Sequence, residues 1–226
     1  MSNLKKTAII LLSGGLDSLV SLQKAQEFCD VKMALTFDYS QHALSEEIEA
    51  SREISRFYNI EHRVVKLPFL AEITNNALTC DENLDFEKFD NDSAKAVWVP
   101  NRNGLFLNIA ACFCESFNFD FIIIGANKEE AGTFIDNSLE FLERADEFFE
   151  FSTQKKPKIL APLKDMEKFE IINYAVANNV PLKYLKSCYN SIEKTGAKHC
   201  GKCESCKRLH QAILKSVNKD LINLFF

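Results

Sequence analysis

The chain alternates short apolar runs with longer stretches in which apolar residues return every three or four positions. The runs predict strands over residues 7–12, 32–37, 61–67, 121–125 and 158–161. The first and fourth runs are continuously hydrophobic, as in strands covered on both faces. The longer period predicts helices over 18–28, 45–58, 103–117, 137–149 and 167–178, with Asp165 as N-cap of the last. Strands that alternate with helices require right-handed crossovers. The expected fold class is therefore α/β, a doubly wound, mostly parallel sheet. Two stretches break the rhythm. Residues 74–95 are polar and acidic and read as a long loop over a site. Residues 187–206 are cysteine-rich and read as a small appended module. The expected division is a nucleotide domain over 1–184 and a four-cysteine zinc module with a helix over 185–226.

Length agrees with that division, since 226 residues fill one sizeable α/β domain and a small appendage. A hydrophobic fraction of 46% supports a packed core. The net charge of −5 argues against a nucleic-acid partner, but the charge is uneven. Residues 127–150 hold two basic and eight acidic side chains, and residues 186–220 hold eight basic and three acidic. The basic end reads as a solvated face, or as one turned to a nucleotide or another subunit. No run approaches the ~20 apolar residues of a membrane span, and no leader pattern precedes residue 8. The expected location is cytoplasmic, with no membrane partner. Eight cysteines in a reducing compartment then point to metal or free thiols.

The first strand runs into Ser13-Gly14-Gly15-Leu16-Asp17-Ser18 and then a helix. Glycines let a backbone approach a ligand closely, and a helix N-terminus favours an anion, so a phosphate suits this turn. The turn is neither G-x-G-x-x-G nor G-x-x-x-x-G-K-[ST], which disfavours a nicotinamide site and a γ-phosphate-transferring loop. Further on, Cys188, Cys200, Cys203 and Cys206 form C-x11-C-x2-C-x2-C. Four thiolates satisfy tetrahedral Zn²⁺ in a closed, structural site. Zinc is the expected metal, with an iron–sulfur cluster or free thiols as alternatives. Neither His199 nor His210 is needed as a ligand. Cys29, Cys80, Cys112 and Cys114 read as small buried or neutral residues.

S-G-G-x-D-S resembles the PP-loop of the ATP pyrophosphatase family, which cleaves ATP between the α and β phosphates. The resemblance implies ATP contacts along Leu12, Ser13, Gly14, Gly15, Leu16, Asp17, Ser18, Leu19, Val20, Ser21 and Leu22. The chain also resembles the 7-cyano-7-deazaguanine synthase branch of that family, over nearly its whole length. Val99-Pro100-Asn101-Arg102-Asn103 matches V-P-x-R-N, and Ile124-Gly125-Ala126-Asn127 matches I-G-x-N. Ala161-Pro162-Leu163 with Lys168-Phe169-Glu170-Ile171 matches A-P-L…K-x-E-I, and Ser187-Cys188-Tyr189 matches S-C-Y. Two segments depart. Tyr39-Ser40-Gln41-His42 stands where the branch shows Y-G-Q-R-H, and residues 130–138 stand where it shows D-x-S-G-Y-P-D-C-R.

The resemblance implies a ligase acting on 7-carboxy-7-deazaguanine, ammonia and ATP to give the nitrile, in queuosine biosynthesis, as a homodimer. Asp17, Arg102, Asp136 and Lys164 are the candidate catalytic residues, with Mg²⁺ near Asp17 or Asp136. Arg102 suits a phosphate or carboxylate through its planar fork, or else forms a surface ion pair. Lys164 suits the α-phosphate, or else is a plain surface lysine. Asp136 suits the purine N1–H or 2-amino group, or else caps the helix that follows. Phe37 and Asp38 could border the adenine. The phenylalanine-rich stretch 141–151 offers apolar surface for the dimer. The rival readings are a tRNA-modifying thiolase or lysidine synthase, and a non-enzymatic zinc-stabilised nucleotide-binding subunit.

Overall fold

The structure, a computed structural model, describes residues 5–74, 76–79, 96–196 and 198–226. The loop expected over 74–95 and Cys80 lie largely outside these residues. Five strands form the sheet: β1 (Thr7–Leu11), β2 (Asp30–Asp38), β3 (Glu61–Lys66), β4 (Phe121–Ile123) and β5 (Lys158–Leu160). All pairings are parallel, in the order β3-β2-β1-β4-β5. Six longer helices accompany them: α1 (Leu16–Ala25), α2 (Leu44–Tyr58), α3 (Arg102–Phe117), α4 (Leu139–Ser152), α5 (Lys168–Ala177) and α6 (Glu204–Lys215). Each expected strand and helix is present, with ends shifted by a few residues.

Alternation along β1 builds both layers. Ile9 and Leu11 join Leu35, Phe106, Leu107 and Phe149 on one face. Ala8, Ile10 and Leu12 join Leu19, Ile54, Ile171 and Ile213 on the other. The period-2 geometry of a strand thus seats α3 and α4 on one side and α1, α5 and α6 on the other. The C-terminal module enters both layers, since Cys188, Cys203 and Cys206 lie in the first cluster and Leu209, Ala212 and Ile213 in the second.

Two expectations at element ends are corrected. The N-cap of α5 is Glu167, not Asp165, and the Glu167 N–H donates to the Glu170 carboxylate at 2.8 Å. A capping box satisfies two helix-end donors reciprocally and outcompetes a lone aspartate further upstream. The cap of α4 is Ser138, whose hydroxyl accepts from the Phe141 N–H at 3.2 Å. Asp136 is buried and serves a different helix, as described below.

The strand order reverses between β1 and β4, so the carboxyl ends of these neighbours diverge into separate connections. That is where an open α/β sheet leaves a crevice for a ligand.

Candidate functional site

The turn after β1 occupies that crevice. Gly14 has φ +78°, and a Cβ there would stand 2.6 Å from the Ala50 Cβ on α2. Both facts require glycine. Gly15 caps α1 in an extended conformation. The Ser18 hydroxyl donates to the Gly15 carbonyl at 3.1 Å and lies 3.3 Å from the Ser13 hydroxyl. The first N–H groups of α1 have no intrahelical partners and open toward an anion. From the neighbouring strand end, Gly125 closes in. A Cβ on Gly125 would stand 2.9 Å from the Ser18 nitrogen, so this contact of β4 with α1 also requires glycine.

The turn opens into a cavity of ≈ 250 Å³. Leu12, Ser13, Gly15, Leu16, Asp17 and Ser18 line it; Leu19, Val20, Ser21 and Leu22 do not. The latter four are buried in the core behind the turn, because the helical period carries them away from the loop. Phe37 lines the cavity and stacks on Phe106 with ring centroids 3.9 Å apart, whereas Asp38 accepts from the Ser40 N–H instead. Arg102 lines it too, donating to the Tyr39 hydroxyl at 3.3 Å. Burial opposes the charge on Arg102, but Tyr39, Asp136 and Tyr189 around it hold its pKa above the usual value.

Asp136 reaches the same cavity. Its carboxylate accepts from the Asn103 N–H at 3.3 Å, and its carbonyl accepts from the Asn103 amide at 3.1 Å. It therefore sits at the N-terminus of α3, and burial raises its pKa. Glu130, Phe134 and Asn137, from the same segment, also line the cavity. The segment that departs from the resembled pattern is thus a wall of the site. Lys164 is exposed and borders a separate depression beside Leu139 and Leu142. The structure does not bring it to the cavity.

Lys168 is there instead. Its ammonium lies 3.2 Å from Asp17 and 2.9 Å from Glu130. Burial pushes the Asp17 carboxyl up to about 6, with Glu130 adding to the rise and Lys168 and Asn127 opposing it. Glu130 is held below its ordinary value, its burial outweighed by Lys168. The second carboxylate oxygen of Asp17 is buried without a hydrogen-bond partner. An anionic oxygen left so fits a divalent cation, with Glu130 as the neighbouring donor.

Sequence reasoning missed several members of this site. Lys168 stood inside the K-x-E-I match and could have been found there. Glu47, Lys186, Glu204 and Arg208 carried no motif signal. Glu47 lines the cavity and accepts from the Gln41 amide at 2.8 Å. Burial pushes its carboxyl up to about 7, against Gln41, Arg102 and Lys186. Gln41 is anchored in turn by the Phe37 carbonyl and the Tyr39 N–H. That arrangement needs a left-handed residue at Ser40, with φ +64°, where the resembled pattern shows glycine. Glu204 accepts from Arg208 at 2.9 and 2.6 Å and keeps one buried oxygen without a partner.

Beside the cavity, the sulfur atoms of Cys188, Cys200, Cys203 and Cys206 lie within 4.8 Å of one another. The pairs Cys188–Cys203 and Cys200–Cys206 are 3.9 and 4.0 Å apart. Tetrahedral zinc with Zn–S near 2.3 Å places sulfurs about 3.8 Å apart. The group can therefore hold a metal ion. Lys202 and Cys203 N–H groups donate to the Cys200 sulfur at 3.4 and 3.3 Å, as a thiolate needs. His199 accepts from the Ser187 N–H at 3.2 Å and stands outside the four-sulfur group.

Comparisons with known proteins agree with one another. The family described as "Queuosine biosynthesis protein QueC" matches residues 7–217. The chain is 46% identical over 225 residues to the 7-cyano-7-deazaguanine synthase of Methanosarcina barkeri, covering 94% of this chain and 96% of that protein. It is 38% identical over 230 residues to the protein of the same name from Bdellovibrio bacteriovorus, covering 97% of each. Among solved structures, a 4-thiouridine synthetase–RNA complex with bound ATP superposes with TM-score 0.54 at 18% identity. That likeness covers 97% of this chain and 52% of the other. The U34-tRNA thiolase NcsA of Methanococcus maripaludis, with its [4Fe-4S] cluster, gives TM-score 0.51 at 19% identity, over 78% and 57% of the two chains. These two likenesses speak for the fold alone.

Proposed function

This chain belongs to the family of queuosine biosynthesis protein QueC, and on that footing we propose that it converts 7-carboxy-7-deazaguanine to 7-cyano-7-deazaguanine with ammonia and ATP. The observation that carries the reading at this site is the single cavity into which the PP-loop, Arg102 and Asp136 all open. A carboxylate is a poor electrophile, and adenylation gives it AMP as a leaving group.

The substrate carboxylate oxygen attacks the α-phosphate in line with departing pyrophosphate, and ammonia then displaces AMP to leave the amide. A second adenylation on the amide oxygen, followed by loss of AMP and protons, gives the nitrile. One site serves both steps because each sets an oxygen nucleophile against the same phosphorus. The N–H groups at the start of α1, with the Ser13 and Ser18 hydroxyls, receive the pyrophosphate. Asp17 and Glu130 would hold Mg²⁺, which would supply charge neutralisation on the phosphates. Lys168 takes the α-phosphate role expected of Lys164, a reading supported by its place between Asp17 and Glu130. Arg102 orients the substrate carboxylate, and Asp136 accepts from the purine N1–H or 2-amino group. Glu47, poised near neutrality, accepts protons released as nitrogen is added.

Zinc is the metal the four thiols hold, on the strength of their spacing and all-sulfur donor set. A homodimer is supported by Phe148 and Phe151, which are exposed on α4. ATP–pyrophosphate exchange with and without 7-carboxy-7-deazaguanine, beside a tRNA-dependent control, tests the assignment. Exchange should depend on the deazaguanine. Exchange that depends on tRNA would replace it with an RNA-modifying role, and no exchange in either arm would favour a non-enzymatic subunit.

A further inference from the structure

We infer that Lys186 is a positioning residue that couples the four-cysteine site to the PP-loop, so that metal and nucleotide strengthen each other's binding. The inference rests on the ATP and zinc readings above.

Lys186 sits at the junction of the two sites. Its main-chain N–H donates to the Gly14 carbonyl at 2.8 Å, and Gly14 is the residue that sets the left-handed bend of the loop. Its side chain, at the cavity wall, reaches into the cysteine module. The ammonium donates to the Asn190 carbonyl at 3.0 Å and the Lys198 carbonyl at 2.9 Å. Those carbonyls lie two residues beyond Cys188 and two before Cys200. One residue thus holds both ends of the long Cys188–Cys200 loop and, through its backbone, the loop that receives phosphate. It is only 3% exposed, so its ammonium depends on these two carbonyls in place of water.

Two further contacts make the junction stiff. The Ser187 N–H donates to His199, and the Ile192 N–H donates to Glu46 at the start of α2. The Ala50 side chain of the same helix is what Gly14 approaches. Drawing four sulfurs onto one ion fixes residues 188 and 200, and hence the two carbonyls that hold the Lys186 side chain. Fixing Lys186 fixes Gly14. Coupling of this kind is reciprocal: whatever factor the metal adds to nucleotide affinity, the nucleotide adds to metal affinity.

The test uses the zinc-loaded full-length chain, Mg²⁺ and α,β-methylene-ATP, and it reads zinc affinity by equilibrium competition with a colorimetric chelator rather than turnover. The analogue should tighten zinc binding about five-fold or more, and zinc removal should weaken analogue binding by a comparable factor. In Lys186→Met, which fills the same space without donors, both factors should fall toward one. Lys186→Arg should retain part of them, because a guanidinium can still donate to both carbonyls. A wild-type chain that binds the analogue yet holds zinc with unchanged affinity overturns the coupling alone. A wild-type chain that binds no analogue overturns the nucleotide reading and the coupling together. Should Lys186→Met fail to retain zinc, amide hydrogen exchange of the wild type decides. Zinc removal must then speed exchange over residues 14–18, and unchanged exchange there refutes the inference.

Discussion

Two carboxylates in the cavity behave unlike surface acids, and each gives a measurable consequence. Asp17 shares Lys168 with Glu130 and keeps one oxygen without a partner. Asp17→Asn leaves Lys168 paired with Glu130, so the fold should persist with a near-normal Tm. Loss of the anionic anchor should lower kcat by ~10²–10³. Wild-type turnover in a folded variant would remove Asp17 from the mechanism. Glu47 carries a folded pKa of about 7 against an ordinary 4.5. An acid so raised holds an extra proton in the folded state between those two values. Its contribution is most favourable below the lower value and is lost as pH climbs through the upper one. Glu47→Gln keeps an acceptor for Gln41 and deletes the titration. The variant should match wild type in Tm near pH 4 and exceed it near pH 8, with a stability gain of no more than ~3.5 kcal/mol. An equal Tm difference at both pH values would show that the carboxyl does not titrate there.

At the scale of elements, the site depends on how closely β4 approaches the start of α1. Gly125 permits that approach, since any Cβ would meet the Ser18 backbone nitrogen at 2.9 Å. Backbone cannot yield as a flexible side chain can. Gly125→Ala should cost ~1–3 kcal/mol of stability and, if the start of α1 receives the phosphates as proposed, raise the KM for ATP by displacing that helix end. Unchanged ATP affinity in that variant would separate the helix N-terminus from nucleotide binding. Helix α1 starts at Leu16, directly after its N-cap Gly15 and two residues ahead of the position its apolar period suggested. Helix onset here follows the glycine turn, and side-chain periodicity does not register backbone caps.

For the whole molecule, the C-terminal module and the sheet form one site. Glu204, Ser205 and Arg208 line the cavity, and Cys203, one of the four clustered cysteines, is the N-cap residue of the helix that carries them. Purified protein should carry one zinc per chain. Cys203→Ser should lower stability by ~3 kcal/mol or more while kcat at saturating ATP changes little, since a closed four-sulfur site has no position for substrate. Iron with sulfide in elemental analysis would overturn the zinc assignment. A fall in kcat without a fall in Tm would bring the metal into the chemistry.

Local pattern was enough for the main strands and helices, the parallel sheet, the glycine turn after β1 and the four-cysteine set. Strand and helix periods, glycine placement and cysteine spacing are short-range features, and each is written in adjacent residues. Arg102 and Asp136 were also legible, through the segments that matched or departed from the resembled pattern. The charge partners were not. Lys168 meets Asp17 across roughly two-thirds of the chain, Lys186 meets Gly14 across still more, and Glu47 faces inward from a helix start that reads as solvent-exposed. Whether a lysine sits on the surface, as Lys164 does, or buried between two half-buried carboxylates, as Lys168 does, is decided by which turn of chain folds over it. Burial sets the cost of charge and the worth of each ion pair, and burial exists only once the sheet, the helices and the cysteine module have come together.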